Sequence, residues 1–387
     1  MPYIRRILEI QVVKAARGFP ALLLTGPRQC GKTTLLRKLF PRSAYVLLED
    51  PDVIARVRAD PRSFLEDLTT PVILDEIQNA PELLNYIRTR IDNAPSRRGQ
   101  WLLTGSQEAP LMQGVVESMA GRAAVLQLLP LATTESPKVS VLRGGYPGVL
   151  IRPSTAEIWF RSYVQTYLER DIRAITAVRD LATYRRFLAL LASRCGTMLN
   201  KTELAGPLGV SVPTITEWLN ALEVTGQILL VSPFYENFGK RLVKTPKLYF
   251  VDSGLACHLL GIDDAMALRR SALFGRLFEG FVAAEIAKQQ VNSGGRVQLY
   301  YFRDQQGLEV DLIVPRGPDG LALIEAKASK TPLPSMARPL QRLAESIAHY
   351  KTQSMVVHGG TAGSEAGTAL VPGVAAVSVE QLLEWLH

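Results

Sequence analysis

The stretch Gly26-Pro27-Arg28-Gln29-Cys30-Gly31-Lys32-Thr33 decides the fold of this chain. It follows the apolar run ALLLT at residues 21–25 and precedes TLLRKLF at residues 34–40, so the sequence predicts a strand before the stretch and a helix after it. In that context the spacing G-x-x-x-x-G-K-T predicts a loop whose backbone N–H groups point at a polyphosphate, backed by the positive N-terminal end of the helix. The sequence therefore predicts a phosphate-binding loop.

Side chains of this loop and of a later strand are expected to act on the nucleotide. Lys32 would reach the β- and γ-phosphates, and the Thr33 hydroxyl would bind Mg²⁺. The run TPVILDE at residues 70–76 predicts a buried strand that delivers two acids to the same edge of a sheet. Asp75 would hold the Mg²⁺ shell, and Glu76 would polarise the attacking water. The residues expected to bind the nucleotide are Gly26, Pro27, Arg28, Gln29, Cys30, Gly31, Lys32, Thr33, Thr34, Asp75 and Ser106.

Hydroxyls and an arginine are further candidates near the γ-phosphate. The run WLLT at residues 101–104 predicts a third buried strand, and Ser106 follows it. A hydroxyl there can bond to the attacking water or to the γ-phosphate; capping the following helix is the alternative. Arg122 is the first candidate for an arginine that neutralises charge at the γ-phosphate, from the same subunit or across an interface, and Arg143 is the second. For each arginine, a surface position is the alternative.

Length and composition set broad limits. A chain of 387 residues predicts two or three domains, and 47% hydrophobic with 21% charged residues is typical of a folded soluble protein. No apolar run approaches the roughly 20 residues that span a bilayer, so no membrane partner is expected. The first ten residues predict an amphipathic helix and not a signal peptide. Three scattered cysteines indicate neither a disulfide framework nor a metal cluster, which favours a cytoplasmic location.

The charge distribution bears on nucleic-acid binding. The formal net charge of +8 is compatible with a nucleic-acid partner. Residues 266–387 contain 12 Lys and Arg against 11 Asp and Glu, so the C-terminal third is nearly neutral. This balance argues against binding of a nucleic-acid phosphate backbone by the C-terminal third alone.

The middle of the chain has the pattern of a helix-turn-helix with a wing. Residues 200–222 predict two helices that are joined by a turn near Gly209. Residues 227–231 and 247–251 predict a hairpin wing, whose basic composition favours binding to duplex DNA. The second helix offers no basic residue, so protein interaction is the alternative. The basic residues assigned to the wing are Lys240, Arg241, Lys244 and Lys247.

A second set of acids lies near the C-terminus. Alternation along a hairpin predicted within residues 308–327 places Asp311, Glu325 and Lys327 on one face. Two carboxylates can share divalent ions, and a lysine beside them can orient the attacking water or offset transition-state charge. Glu279, on a predicted helix, would complete the metal shell. The alternatives are a salt-bridged sheet face and an inactive binding module.

Five motifs occur along the chain: GPRQCGKT at 26–33, LDEIQ at 74–78, LTGS at 103–106, AGR at 120–122 and GGYP at 144–147. Together they resemble a large bacterial and archaeal family of AAA-type ATPases that carry a C-terminal domain of unknown function. The resemblance covers nearly the whole chain and implies an ATP-binding core, a winged-helix middle region and a restriction-endonuclease-like C-terminal domain. Asp311, Glu325 and Lys327 match the Asp…Glu-x-Lys signature of restriction-endonuclease-like enzymes.

The residues and the resemblance together predict an α/β protein of three parts. These are an AAA-type P-loop NTPase domain at 1–135, a helical and winged-helix segment at 136–260, and a restriction-endonuclease-like α/β domain at 261–387. The expected function is ATP hydrolysis with Mg²⁺, together with Mg²⁺-dependent cleavage of DNA. The alternatives are an ATP-driven switch that binds DNA or protein without cutting, and a homo-oligomeric motor with Arg122 at a subunit interface. The expected metal ligands are Thr33, Asp75, Glu279, Asp311 and Glu325.

Overall fold

The computed structural model describes residues 3–105, 118–168, 180–234, 245–360 and 367–386. The chain forms two compact units. Unit 1 comprises Met1–Leu131 with the short segments Val224–Gly226 and Val291–Gly295, and unit 2 comprises the remainder. None of the helices in the described ranges has the length and apolar composition needed to cross a membrane.

Unit 1 is built on a parallel sheet. Its strands lie in the order β2-β3-β4-β1-β5, and every pairing between neighbours is parallel. The elements of this unit are α1 (Glu9–Gly18), β1 (Ala21–Thr25), α2 (Lys32–Leu39), β2 (Ala44–Leu47), α3 (Pro51–Ala59), α4 (Pro61–Glu66), β3 (Val72–Asp75), α5 (Leu83–Asn93), β4 (Trp101–Thr104) and β5 (Ala123–Gln127).

The predicted strand, loop and helix around the phosphate-binding stretch are confirmed by β1 and α2. All five residues of β1 are buried, since helices or loops cover both faces of its sheet. Leu22 and Leu24 belong to one apolar cluster, whereas Ala21 and Leu23 belong to another, as alternation along a strand requires. Because the strands are parallel, the carboxyl ends of β1, β3 and β4 meet at one edge of the sheet.

Unit 2 contains a second, larger sheet. The strand order is β13-β14-β12-β11-β10-β9-β7-β8-β6. Its helices are α6 (Pro147–Ile151), α7 (Ala156–Tyr163), α8 (Leu181–Ser193), α9 (Lys201–Leu208), α10 (Val212–Val224), α11 (Ser253–Leu259), α12 (Ala265–Arg270), α13 (Phe274–Asn292), α14 (Arg338–Ser346) and α15 (Val379–Leu386). Its strands are β6 (Thr197–Met198), β7 (Ile228–Pro233), β8 (Lys247–Phe250), β9 (Tyr300–Arg303), β10 (Glu309–Pro315), β11 (Gly320–Lys327), β12 (Lys351–His358), β13 (Thr368–Val371) and β14 (Val374–Val377).

The predicted pair of helices in the middle of the chain is confirmed by α9 and α10. Asn200 caps α9 by accepting from two backbone N–H groups, and Gly209 ends it in the left-handed conformation at φ 65°. Ile215 and Leu219 on α10 are buried against the neighbouring helices. The predicted pairing of β7 with β8 is also confirmed, and it is antiparallel from Ile228↔Phe250 onward.

The larger sheet is continuous across the predicted boundary at residue 260. Strand β7 pairs with β8 on one side and with β9 on the other. Strands β10 and β11 form the predicted antiparallel hairpin, and β12 then pairs parallel to β11. The predicted boundary near 260 therefore lies inside one compact unit, which joins the middle and C-terminal segments.

The GGYP motif has a packing role in unit 2. Gly144 has φ 65°, and a Cβ there would lie 2.0 Å from the Asp252 carboxylate. The Gly145 N–H donates to Asp252 Oδ2 at 2.7 Å, while Asp252 Oδ1 caps α11 by accepting from Leu255 N at 3.0 Å. One buried carboxylate thus joins this motif to the start of α11.

Candidate functional site

The loop between β1 and α2 has positive φ angles at both of its glycines. Gly26 has φ 137° and Gly31 has φ 101°, and Gln29 also has a positive φ of 62°. A Cβ at Gly26 would lie 2.0 Å from the Leu128 carbonyl oxygen, so only glycine fits there. Pro27, Arg28 and Cys30 are buried, whereas Gln29 and Thr34 are exposed.

Lys32 is held against the loop itself. Its side chain is buried, and Nζ donates to the carbonyl oxygens of Gly26 and Pro27, each at 2.9 Å. Both partners are neutral carbonyls, so no carboxylate competes for the ammonium in these bonds. A phosphate oxygen would therefore offer Lys32 a stronger, charge-assisted partner than the carbonyls it now contacts.

Thr33 and Asp75 meet although 42 positions separate them in the sequence. Thr33 Oγ1 donates to Asp75 Oδ1 at 2.8 Å and to Oδ2 at 3.0 Å. Asp75 is the last residue of β3 and is buried. A hydroxyl and a carboxylate side by side are the hard oxygen donors that Mg²⁺ prefers, so these residues fit the ion expected with a nucleotide.

Two further hydroxyls hold Asp75 in place. Tyr45, on β2, donates to Asp75 Oδ2 at 2.8 Å, and Thr104, at the end of β4, donates to Asp75 Oδ1. Burial and the Asp75 carboxylate raise the pKa of Tyr45 above its ordinary value. The Thr104 hydroxyl also accepts from the Glu76 N–H at 3.1 Å, so it positions the acids of β3.

Glu76 lies beside the buried guanidinium of Arg28. Its backbone is left-handed at φ 61°, and Gln78 donates to its carboxylate. Arg28 Nη1 lies 3.9 Å from Glu76 Oε2 and 3.6 Å from Glu49 Oε1. The expected water-polarising acid is therefore adjacent to a cation from the phosphate-binding loop.

An arginine near the N-terminus supports the same loop, and no sequence pattern predicted this role. Arg6 is buried and donates to the carbonyl oxygen of Cys30 at 3.0 Å and to that of Leu129 at 2.7 Å. Burial raises the pKa of the Cys30 thiol, whose Sγ donates to the Leu128 carbonyl oxygen at 3.2 Å. Arg6 and Cys30 therefore fix the loop to the segment that follows β5.

Arg122 lies at the wrong edge of the sheet to reach a phosphate in its own loop. It immediately precedes β5, whose first residue Ala123 pairs with Ala21 at the start of β1. The loop follows the other end of β1, and five strand residues span about 16 Å. Arg122 instead forms a two-point ion pair with Asp92, at 2.6 Å and 3.0 Å. The same-subunit role is therefore wrong, whereas a role across an interface stays a prediction.

The remaining sequence predictions concern residues outside the described ranges or in unit 2. Ser106 lies outside the described residues, as do Lys240, Arg241 and Lys244 of the predicted wing. Arg143 belongs to unit 2, where its N–H donates to Ser140 Oγ at 3.3 Å.

A second charged cluster, in unit 2, contains the predicted C-terminal acids. Lys327 Nζ lies 2.5 Å from Glu325 Oε1 and 3.6 Å from Asp311 Oδ2. The Ala326 N–H donates to Asp311 Oδ2 at 3.0 Å, across the hairpin. The structure thus brings Asp311, Glu325 and Lys327 together on one side of the sheet.

The same cluster includes Glu279 and residues that the sequence did not assign to it. Lys247, on β8, places Nζ 3.0 Å from Glu279 Oε1 and 2.6 Å from Glu309 Oε1. It lies 3.9 Å from Asp311 Oδ1. Tyr249, two residues along β8, donates to Glu279 Oε1 at 2.5 Å. Four carboxylates and two lysines therefore share this part of unit 2.

Lys247 lies on β8, a strand of the predicted wing, but its predicted contact with DNA is wrong. Its side chain is only 2% exposed, and its three ion-pair partners among the described residues are carboxylates of the cluster. Burial lowers its pKa, but the charges of Glu279, Asp311 and Glu309 outweigh burial and raise the pKa above the ordinary value. Lys247 is consequently a buried cation of the acid cluster and is not available to a DNA phosphate.

Burial, together with a neighbouring carboxylate, raises the pKa of two of the acids. Burial, followed by the negative charge of Asp311, raises the pKa of Glu279 to about 7 and that of Glu325 to about 7. Lys247 and Lys327 oppose these shifts without cancelling them. Near neutral pH the cluster therefore contains carboxyls that can exchange protons.

The cluster only partly fits a divalent cation in this arrangement. Glu325 Oε2 is buried and has no hydrogen-bond partner among the described residues, so it is a carboxylate oxygen able to accept a ligand. However, within the described ranges no three His, Cys, Asp or Glu side chains are grouped so as to hold a metal ion. Instead, the ammonium groups of Lys247 and Lys327 lie next to the carboxylates.

Three family models match successive parts of the chain. An AAA domain matches residues 18–136. A domain of unknown function, DUF8612, matches residues 135–266, and another, DUF4143, matches residues 274–381. With the AAA match and the loop geometry, the class of the protein is defined: it is a P-loop protein of the AAA ATPase type.

Two curated relatives identify the family. "Uncharacterized protein Rv2008c" of Mycobacterium tuberculosis is 34% identical over 347 residues, which cover 87% of this chain and 76% of that protein. "Uncharacterized protein Mb2031c" of Mycobacterium bovis gives the same values. The chain belongs to the same family as these two relatives.

Solved structures show weaker similarity. The Walker-type ATPase paby2304 of Pyrococcus abyssi has a TM-score of 0.46 and 16% identity, over 67% of this chain and 98% of that one. AMPPCP-bound DnaA from Aquifex aeolicus has a TM-score of 0.28 and 13% identity, over 56% and 86% respectively. The family assignment depends on the family model and the relatives, not on these structures.

The substitution Asp311→Asn tests the origin of the raised pKa values. It removes the charge that, after burial, raises the pKa of both Glu279 and Glu325, so both values should fall by about one unit. The carboxyl ¹³C chemical shifts of the two glutamates, followed against pH, measure this change. Asp319→Asn, in the exposed turn of the same hairpin, is the control and should leave both titrations unchanged.

The same shifts determine how stability depends on pH. Because the folded-state pKa of about 7 exceeds the ordinary 4.5, the native state binds more protons than the unfolded state in that interval. This contribution to the free energy of unfolding is full below pH 4.5 and is lost as pH rises through 7. In Asp311→Asn the free energy of unfolding should fall less steeply with pH between 4.5 and 7. An unchanged slope together with unchanged glutamate titrations would show that the charge of Asp311 does not raise these pKa values.

Proposed function

We propose that this protein is a Mg²⁺-dependent ATP hydrolase. The observation that carries the proposal is the contact of Thr33 Oγ1 with Asp75 at 2.8 Å, beside a loop that also presents Lys32. Thr33 and Asp75 would hold Mg²⁺, which neutralises charge on the β- and γ-phosphates when bound. The family relationship and the parallel sheet support this function.

The roles of the individual residues follow from their positions. Lys32 would exchange the Gly26 and Pro27 carbonyls for phosphate oxygens and so bind the nucleotide electrostatically. Glu76 would orient and polarise the attacking water. The nearby guanidinium of Arg28 would partly offset the negative charge of the Glu76 carboxylate. Thr104 and Tyr45 would act through Asp75 by fixing its carboxylate.

The substitution Lys32→Ala should reduce ATP hydrolysis at least about 100-fold, because it removes a preorganised positive charge at the phosphates. Phosphate release in the presence of Mg²⁺ measures the rate. Lys38→Ala changes an exposed lysine of the same helix and should retain the wild-type rate. Equal rates in wild type and Lys32→Ala would rule out hydrolysis at this loop.

For the acid cluster of unit 2 we propose cleavage of DNA phosphodiesters. The side-by-side placement of Asp311, Glu325 and Lys327 supports this function. Glu325 Oε2, which has no hydrogen-bond partner in the described part of the chain, also supports it. The order α13-β9-β10-β11-α14-β12, with β10 antiparallel and β12 parallel to β11, is compatible with a restriction-endonuclease-like domain. Helices α9 and α10 with β7 and β8 would form a winged helix that binds the DNA.

A specific observation favours an alternative, in which unit 2 binds its partner without cutting. Lysines occupy the acid cluster, and no described group of acids is arranged to hold a metal ion. In this alternative ATP would switch the binding of DNA or of a protein. A homo-oligomer would be compatible with either function, with Arg122 acting across an interface.

The substitution Asp311→Asn separates these two functions. If the cluster cuts DNA, cleavage of plasmid and single-stranded DNA with Mg²⁺ or Mn²⁺ should fall at least about 100-fold, because Asp311 lies between Lys247 and the Glu325–Lys327 pair. Asp319→Asn, on the same hairpin, should keep the activity. Absence of cleavage in wild type, with ATP-dependent DNA binding that survives Asp311→Asn, would contradict the nuclease and favour the switch.

A further inference from the structure

Lys247 belongs to a different part of the sheet from the acids it contacts. It lies on β8, whereas Glu309 and Asp311 lie on β10, and both β7 and β9 separate these strands in the sheet order. The DUF8612 match contains Lys247, while the DUF4143 match contains all of the acids. The cluster is therefore completed by a cation from outside the segment that carries its carboxylates.

The ammonium of Lys247 occupies a central position among the acids. Its Nζ lies within 3.0 Å of oxygens of both Glu279 and Glu309, and 3.9 Å from Asp311 Oδ1. The Tyr301 ring lies beneath it, with its centroid 5.3 Å from Nζ. This cation has little contact with water, since its side chain is 2% exposed.

Asp311 is shared between the two lysines of the cluster. Its Oδ1 faces Lys247, and its Oδ2 faces Lys327 at 3.6 Å while also accepting from the backbone. Lys247 thus draws Glu279 and Glu309 to one side of Asp311, whereas Lys327 pairs with Glu325 on the other. Among the described residues the four carboxylates of the cluster are therefore shared between two lysines, and no three acids are grouped to hold a metal ion.

We propose that the acid cluster is a divalent-cation site that Lys247 holds closed, and that a cation binds there only when the Lys247 ammonium leaves Asp311 and Glu279. The proposal rests on the function proposed above for this cluster. A compact ammonium and a divalent cation compete for the same carboxylate oxygens, and their like charges repel at such short distances. Lys327 is 34% exposed and can turn toward solvent, whereas Lys247 is enclosed and must be displaced.

Mn²⁺ binding to the full-length chain tests this proposal without any assay of cleavage. The background carries Asp75→Asn and no nucleotide is added, so that the phosphate-binding loop does not contribute. Free Mn²⁺ is measured by electron paramagnetic resonance for the parent and for Lys247→Met and Lys247→Gln. Lys351→Met is the matched control, because Lys351 pairs with Asp319 on the surface at 2.9 Å.

The expected result is a dissociation constant for Mn²⁺ at least tenfold lower in Lys247→Met and Lys247→Gln, with no change in Lys351→Met. Adding Asp311→Asn to Lys247→Met should abolish the gain. An equal dissociation constant in parent and Lys247 variants, still sensitive to Asp311→Asn, would overturn the role of Lys247 while leaving the cation site. Binding that never depends on Asp311 would instead refute the cation site itself.

Circular dichroism tests whether the two Lys247 variants still fold. The two Lys247 variants should keep the wild-type spectrum, since the cation site is expected to tolerate displacement of this side chain. Loss of the folded spectrum in both variants would overturn the proposal, because Lys247 would then be a fixed structural counter-charge.

Discussion

The hydrogen bond between Thr33 and Asp75 is the interaction on which the nucleotide site depends. It joins the first turn of α2 to the end of β3, two elements that are far apart in the sequence. A buried carboxylate must be satisfied by donors, and hydroxyls from Tyr45 and Thr104 complete the set around Asp75. One acid therefore fixes the relative positions of α2, β2, β3 and β4 at the carboxyl edge of the sheet.

Two buried lysines illustrate how partner chemistry determines what a site can accept. Lys32 contacts only neutral carbonyls in the bonds described above, so an anion that enters the loop gains a strong partner. Lys247 is already paired with carboxylates, so its ammonium offers a phosphate no uncompensated positive charge. The first lysine suits a polyphosphate site, and the second occupies a site whose net charge would attract a metal ion.

Local patterns predicted much of the fold and of the nucleotide site. The strand, loop and helix around Lys32 and the strand that ends at Asp75 were readable because each is a short contiguous pattern. The position of Arg122 could also have been predicted. A residue that precedes a parallel strand lies at the edge of the sheet opposite the phosphate-binding loop, which follows β1. The position of Lys247 could not be predicted, because a lysine near other basic residues has the pattern of a surface wing. Its partner Glu279 is also 32 positions away in the sequence. Arg6 and Tyr45 likewise act only through tertiary contacts.

The central claim is that the loop and Asp75 together bind a nucleotide with Mg²⁺. Equilibrium binding of a fluorescent ATP analogue, measured with and without Mg²⁺ for wild type and Asp75→Asn, tests it most directly. The account predicts that Mg²⁺ strengthens binding at least about tenfold in wild type, because the ion links Thr33 and Asp75 to the phosphates, and that this gain disappears in Asp75→Asn. Binding that is absent in wild type, or a Mg²⁺ effect that is equal in the two proteins, would contradict the account.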